Sequence, residues 1–98
     1  MKIKFLQPAE QELNEAVEYY ETQKAGLDFE FFEEVWAAIE RIEKHPKAWQ
    51  PISLRTHRCQ IHRFPCGVIY QVRENDDEIL IVAIAHLHRR PSYWQNRI

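Results

Sequence analysis

Apolar and polar residues alternate in the first positions of the chain and then change to a helical period. Ile3 and Phe5 alternate with lysines, which predicts a short N-terminal strand that ends before Pro8. A helix is expected from Pro8, because apolar residues then recur at spacings of three and four. These residues are Leu13, Ala16, Val17 and Tyr20. Gly26 is expected to end the helix, because glycine adopts the left-handed cap conformation without steric cost.

A second apolar stripe with helical spacing follows Gly26. Its members are Leu27, Phe31, Val35, Ile39 and Ile42, with Phe32 and Trp36 widening it. Asp28 and Glu30 suit the positive start of a helix dipole, Lys44 suits its negative end, and Pro46 closes the segment. Because the turn between the two helices is short, they are expected to pack as an antiparallel hairpin.

The period changes to that of β-strands in the second half of the chain. Residues 46–56 lack a clear period and indicate a loop, within which 52–54 can form a short strand. Residues 58–64 alternate between apolar and polar, and residues 68–73 alternate again after Pro65. Two neighbouring strands are therefore predicted on either side of this proline.

The last predicted strand is of a different kind. Residues 79–85 are apolar at every position, which indicates a central strand that is covered on both faces. The predicted order is β-α-α-β-β-β, with a short helical turn after Pro91. This corresponds to an α+β fold in which the helical hairpin lies on a mainly antiparallel sheet of about four strands. With 98 residues, the chain is expected to form one domain, residues 1–98.

Charge is distributed unevenly along the chain. The net charge of −2 argues against a protein that coats nucleic acid indiscriminately. Residues 1–50 carry six basic and eleven acidic residues, whereas residues 51–98 carry seven and four. All seven cations of the second half are arginines, and the guanidinium fork suits bidentate contacts with phosphate or carboxylate. The second half is therefore expected to meet an anionic partner.

Several other classes of protein and site lack support in the sequence. The longest apolar run has seven residues, whereas a membrane span needs about 20, and no secretory leader is recognisable, so a cytoplasmic protein without a membrane partner is expected. No common nucleotide, hydrolase, protease or calcium motif occurs, so neither a cofactor nor a small-molecule substrate is expected. Cys59 and Cys66 are expected to stay reduced. No metal site is expected either, because strand alternation directs His57 and His62 to opposite faces.

Short motifs occur in a characteristic order along the chain. They are Gly26-Leu27-Asp28, Arg58, Arg63-Phe64-Pro65, Tyr70 and His86-x-x-Arg89-x-Pro91-x-x-Trp94. With this order and spacing, the sequence resembles the RelE/ParE superfamily of toxins from bacterial type II toxin–antitoxin modules, and within it the ParE-like, plasmid-stabilisation branch. The resemblance implies a toxin that inhibits growth by binding DNA gyrase. It also implies a cognate antitoxin that neutralises the toxin.

Two further interpretations accompany the gyrase-binding one. A RelE-like toxin would enter the ribosome and cut messenger RNA, which requires a base, an acid and cations around the scissile phosphate. The candidates for these roles are Arg63, His86, His88, Arg89, Arg90 and Tyr93. Residues 53–63 contain no lysine, which departs from the RelE-like pattern, so a non-enzymatic inhibitor is preferred and enzymatic activity stays open. The third interpretation is an inactive or repurposed family member.

The residues expected to bind a partner lie in the basic half. They are Arg55, Arg58, Arg63, Arg89, Arg90, Tyr93 and Trp94. An antitoxin tail is expected to place apolar residues beside the helical hairpin and acidic residues near these arginines. Several candidates also have structural interpretations: His86 as a framework residue, Arg89 as the partner of an acidic residue in the hairpin, and Trp94 as an apolar plug over the sheet. The glutamates on the outer side of the second helix are expected to be solvated, with contact to a basic partner as the alternative.

Overall fold

The computed structural model describes residues 1–98 and has two helices and five strands. Its elements are β1 (Lys2–Phe5), α1 (Gln7–Gln23), α2 (Leu27–Lys44), β2 (Gln50–Pro51), β3 (Thr56–Gln60), β4 (Cys66–Arg73) and β5 (Glu78–His86). Short 3-10 turns follow β4 at Glu74–Asp76 and close the chain at Gln95–Arg97. The predicted α+β class, the helical hairpin after an N-terminal strand and the helical turn after Pro91 are confirmed. Neither helix combines the length and the hydropathy that crossing a lipid bilayer requires.

The two helices form the predicted hairpin, but α1 ends at Gln23, and Gly26 caps the start of α2 rather than the end of α1. Pro8 is the second residue of α1, and Glu10 lies in its first turn, where a carboxylate meets the positive end of the dipole. Gly26 has a φ of 85°, a left-handed conformation that other residues rarely adopt, and this lets the chain reverse between the helices. At the far end of α2, the His45 amide donates to the carbonyl of Arg41.

The sheet differs from the prediction in the number of its strands. Its order is β1-β5-β4-β3-β2, so five strands are present rather than about four. The additional strand β2 pairs Gln50 with Arg58 and Pro51 with His57, two residues earlier than the segment predicted from the sequence. Proline lacks an amide donor, and at this edge position no further strand needs one. β1 runs parallel to β5, whereas the other pairs are antiparallel.

The predicted strand at 58–64 is wrong in its second half. β3 ends at Gln60, and the next residues form a tight turn in which the Ile61 amide donates to the carbonyl of Cys66. Arg63 sits in this turn with a φ of 70°, a left-handed conformation that strand residues do not adopt. Alternation alone did not reveal the turn, because Ile61 and Phe64 are both buried and continue the apolar pattern beyond the strand.

Both faces of the central strands are buried. The helix-covered face contributes to a cluster of 16 buried residues, whose large members include Leu13, Phe31, Val35, Ile39, Val68, Tyr70 and Ile81. A second cluster of six residues lies on the opposite face: Ile69, Leu80, Val82, Ala83, Ala85 and Trp94. Every residue from 79 to 85 is buried, which confirms the prediction of a central strand covered on both sides.

Candidate partner-binding surface

The C-terminal segment after β5 folds back across the sheet face that the helices leave free. Trp94 is only 5% exposed and packs in the second cluster, where Leu6 and Ile52 also contact it from the rim. A run of turns brings the chain there, with Ser92 in a left-handed conformation at a φ of 65°. Residues 91–98, here called the tail, are therefore anchored by one large apolar side chain.

A carboxylate from α1 fixes the tail from the other side. Glu12 Oε2 accepts a hydrogen bond of 2.7 Å from the Tyr93 hydroxyl. Arg97 approaches both oxygens of the same carboxylate, with Nη1 at 2.8 Å from Oε1 and Nη2 at 3.1 Å from Oε2. The amide of Ile84 donates to Oε1 at 3.1 Å. Because all these partners are at least half-buried, we expect this network to hold Tyr93 and Arg97 in one geometry.

Glu12 and Arg97 also form hydrogen bonds with backbone groups at an open edge of the sheet. β1 pairs only with Glu78–Ile81, so the outer edge of β5 beyond residue 81 has no neighbouring strand. There Glu12 accepts from the Ile84 amide, and Arg97 donates to the carbonyl of Val82 at 3.0 Å. Unpaired backbone groups at an edge invite pairing with another chain. Side chains from α1 and the tail satisfy these groups instead.

Tyr93 lies between two arginines. The guanidinium carbon of Arg89 is 4.1 Å from the centre of its ring, and that of Arg97 is 5.1 Å away, both within the range of cation–π attraction. Burial, and then the hydrogen bond to Glu12, raises the pKa of Tyr93 well above its usual value. The Tyr93 hydroxyl therefore keeps its proton and directs it at Glu12.

The two histidines at the end of β5 contact each other. His86 is the last residue of β5, as expected, and its Nδ1 accepts a hydrogen bond of 3.0 Å from the His88 amide. The two imidazole rings stack with centroids 5.1 Å apart. His86 and Tyr93 also line a cleft of about 370 Å³ against α1, where Tyr20 and Cys66 meet.

Neither group at the base of this cleft is ionised near neutral pH. Burial, followed by the nearby Cys66, raises the pKa of Tyr20 to about 12. Burial likewise raises the pKa of the Cys66 thiol, and the same effect acts on Cys59. Both cysteines are free and buried, which agrees with the expectation that they stay reduced. Since the thiolate is the reactive form, the cleft contains no activated nucleophile.

Arg58 lies on the sheet face that carries the tail. It pairs with Ile69 in the register of β3 and β4, and its Nη2 donates to Gln60 Oε1 at 3.3 Å. Its guanidinium lies directly over Gly67, so that a Cβ atom at position 67 would collide with it. Glycine at 67 therefore provides the space in which the Arg58 side chain rests.

Arg63 is directed towards the helices instead. Its Nη2 is 2.9 Å from Glu30 Oε1, and its Nη1 is 3.9 Å from Glu34 Oε2. The hydrogen bond and charge of Arg63 lower the pKa of the Glu30 carboxyl, and Glu30 raises the pKa of Arg63 in return. The pairing expected between the hairpin and Arg89 is thus made by Arg63 and Arg97, while Arg89 contacts Tyr93.

Arg55 lies at the opposite end of the sheet from the other candidates. It is exposed in the β2–β3 loop, where it lines a separate cleft of about 670 Å³ together with Lys47, His57 and Arg73. Arg89 and Arg90 lie at the other end of the sheet, where β4 begins and β5 ends. At that end the Leu87 amide donates to the carbonyl of Pro65. The predicted partner-binding residues are therefore not all brought together: Arg63 pairs with α2 and Trp94 is buried, which leaves Arg89, Arg90 and Tyr93 as neighbours and Arg55 apart from them.

The sequence and the fold of the chain can now be compared with those of known proteins. The family profile described as "ParE toxin of type II toxin-antitoxin system, parDE" matches residues 3–91. The chain belongs to this family. A solved structure entitled "Chromosomal ParDE TA system from P. aeruginosa" has a similar fold, with a TM-score of 0.63 and 15% identity over 90% of this chain and 97% of that one. No curated protein matches the sequence.

Within this ParE-family chain, the surface formed by Arg89, Arg90 and Tyr93, together with the turn that carries His88, is called the tail surface below. Arg89 and Arg90 are exposed and neither forms an ion pair within the chain. Sequence reasoning missed Glu12 and Arg97, which hold the surface in place. Glu12 lies in the N-terminal half of α1, and nothing in its local sequence indicates a partner 85 residues away.

Several groups at the tail surface are already engaged by other parts of the chain. General acid–base catalysis needs one group that gives up a proton and another that accepts one, both within reach of the same reacting atoms. The Tyr93 hydroxyl donates a hydrogen bond to Glu12, and His86 Nδ1 accepts one from the backbone amide of His88. The surface presents two guanidinium groups that have no carboxylate partner, and that of Arg89 contacts the Tyr93 ring; such groups suit a carboxylate- or phosphate-bearing partner.

Proposed function

We propose that this protein is the toxin of a ParDE-type module, acts in the cytoplasm, and arrests growth by binding DNA gyrase rather than by cutting RNA. Membership of the ParE toxin family supports a toxin–antitoxin role. The observation that supports a docking mechanism is the tail surface. There neither Arg89 nor Arg90 forms an ion pair within the chain, and the Tyr93 hydroxyl donates a hydrogen bond to Glu12. Such a surface binds a macromolecule through cationic side chains that are already in position, and this binding needs no bond-breaking chemistry.

We further propose that a cognate antitoxin neutralises the toxin by covering the tail surface with acidic residues. The exposed guanidinium groups of Arg89 and Arg90 are the charges that such a segment would meet. The apolar part of the same segment is expected to lie beside the helical hairpin. Covering Arg89 and Arg90 would remove the cations that the target requires.

The test is a supercoiling assay with purified gyrase and purified toxin. The protein is expected to stop supercoiling and to leave cleaved DNA complexes, and addition of the product of the adjacent gene is expected to restore activity. Normal supercoiling at saturating toxin would exclude gyrase as the target. Mapping of messenger RNA ends in induced cells separates the RelE-like alternative, since a docking toxin leaves messages intact. Growth that continues after induction would instead indicate an inactive family member.

A further inference from the structure

A cleft lies at the end of the sheet opposite the tail surface. Its volume of about 670 Å³ is within the range of sites for small molecules. The β2–β3 loop lines it with Leu54 and Arg55, and the turn after β4 lines it with Asn75 and Asp76. Leu54 and Val72 are its only apolar lining residues, so the cleft suits a ligand that is mostly polar.

One lysine and two arginines line this cleft, and only the lysine is neutralised within the chain. Lys47 forms an ion pair with Glu74. Neither Arg55 nor Arg73 forms an ion pair, and Arg73 donates only a long hydrogen bond of 3.4 Å to Gln71 Oε1. Two guanidinium groups of one cleft therefore lack an anionic partner. A phosphate group accepts hydrogen bonds from several donors at once and suits such a pair.

Two nitrogen atoms of the lining residues also lack partners. Nε of Arg73 and Nδ1 of His57 are shielded from solvent and form no hydrogen bond within the chain. The His57 ring stacks on Tyr70, with ring centroids 5.4 Å apart. A buried polar atom without a partner is unfavourable, and a small rotation of either side chain would present the atom to the cleft. These atoms are a second indication, independent of the charges, that a polar ligand completes the site.

The acidic residues of the cleft limit the kind of phosphate compound that it can hold. Asp76 forms no ion pair, and together with Glu74 it places negative charge at the turn after β4. A nucleic-acid strand has a phosphate at every nucleotide and would bring charge against these carboxylates. An inorganic phosphate ion would fill only a small part of the cleft. A nucleoside monophosphate has one anionic end, and the hydroxyl groups of its sugar can donate hydrogen bonds to Asp76.

We propose that this cleft binds a nucleoside monophosphate. Its phosphate contacts Arg55 and Arg73, its sugar faces Asp76, and its base covers Leu54, which is 98% exposed. Covering this leucine removes apolar surface from water and favours a ligand with a flat ring over a bare anion. The site shares no residue with the tail surface, so nucleotide binding does not depend on the toxin function proposed above.

NMR titration of the isotope-labelled full chain measures this binding and locates it. The probes are AMP, GMP, CMP and UMP, and the comparison ligands are the four nucleosides and inorganic phosphate. At least one nucleotide is expected to bind about tenfold or more tightly than both its nucleoside and inorganic phosphate. The amide signals of Arg55, Arg73 and Asn75 are expected to shift, whereas those of Arg89 and Arg90 are expected to stay in place.

Two variants test the arginines. Arg55→Gln removes one exposed cation from the β2–β3 loop and is expected to weaken nucleotide binding about tenfold. The matched control is Lys24→Gln, which removes one exposed cation before α2, whereas the cleft lies beyond the other end of that helix. This control is expected to bind within about twofold of wild type. Arg73→Gln is expected to weaken binding about tenfold or more, and if this half-buried position does not tolerate the change, Arg55→Gln decides.

Four results would overturn the proposal. The first is the absence of any shift among the cleft signals at about 10 mM of every nucleotide. The second is equal affinity for inorganic phosphate and for the nucleotides, which would indicate an anion site that does not use the rest of the cleft. The third is equal weakening in Arg55→Gln and Lys24→Gln, which would indicate attraction to net charge only. The fourth is much tighter binding of an oligonucleotide of about eight residues, lost in Arg55→Gln, which would indicate a nucleic-acid surface instead.

Discussion

The two faces of the sheet are buried by different means. One face is covered by a hairpin of two helices, and helices and sheet together form a cluster of 16 buried residues that includes Phe31. The other is covered by a tail of eight residues, whose main apolar contribution is Trp94, and whose position depends on Glu12. The comparison indicates that the helical face supplies most of the stability, whereas the tail face both completes the core and positions the candidate binding residues.

The largest expected effect is on the helical face. Phe31→Ala removes a fully buried ring that contacts Tyr20 and Phe64 at centroid distances of 4.9 and 5.0 Å. We expect a loss of about 4 kcal/mol in the free energy of unfolding, measured by urea denaturation. A loss below about 1 kcal/mol would show that the hairpin contributes far less than the comparison requires.

The corresponding change on the tail face is Trp94→Ala. We expect a loss of about 3 kcal/mol, at the low end for a buried tryptophan, because a terminal segment can detach without unfolding the rest. Hydrogen exchange should show loss of protection in the tail and β5 before the helices. Leu87→Ala, at a residue that is mostly exposed, is the control and is expected to change little. Equal loss of protection in both helices would contradict the separation of the two faces.

A smaller effect is expected from the carboxylate that fixes the tail. Glu12→Gln keeps the shape of the side chain but weakens the bonds to Tyr93 and Arg97, which should cost about 1 to 2 kcal/mol. Glu15→Gln is the matched control, because Glu15 lines the same cleft from α1 but is exposed and forms no ion pair within the chain. If Glu12→Gln and Glu15→Gln destabilise the protein equally, the proposed role of Glu12 is wrong.

Sequence reasoning predicted the elements of the helical face better than the contacts of the tail. The stripe from Leu27 to Ile42 and the apolar run at 79–85 encode burial through local periodicity, so both were recognised. The contact between Glu12 and Arg97 joins residues from opposite ends of the chain, and no periodic pattern encodes it. The same reasoning explains why β2 was misplaced, since a pairing of two residues is too short to have a period.

Alkaline pH tests the environment of the tail in another way. In the folded protein, burial and the bond to Glu12 raise the pKa of Tyr93 above its usual 10.0, so the folded state retains a proton that the unfolded chain releases. Stability is therefore expected to fall as the pH rises above 10. Tyr93→Phe should make this fall shallower in urea denaturation at a series of pH values. An unchanged slope would contradict the assigned environment of the hydroxyl.

The smallest effect is expected from the exposed pair of Arg63 and Glu30. Exposed ion pairs contribute little, so Arg63→Ala should not measurably change stability at neutral pH through loss of this pair. The pair lowers the pKa of Glu30, so any stabilisation is present above the usual value of 4.5 and is lost as the pH falls through the lower folded value. NMR titration should find the Glu30 midpoint below 4.5 in wild type and close to 4.5 in Arg63→Ala. Identical midpoints would show that the two groups do not interact in solution.

The most direct test of the account is the affinity of purified gyrase for toxin variants that remain folded. Arg89→Ala/Arg90→Ala removes two exposed cations from the tail surface, whereas Arg55→Ala removes one cation at the opposite end of the sheet. The double variant is expected to bind gyrase about a hundredfold more weakly and no longer to inhibit supercoiling, while Arg55→Ala is expected to behave like wild type. Full affinity and inhibition by Arg89→Ala/Arg90→Ala would contradict the central claim that the tail surface binds the target.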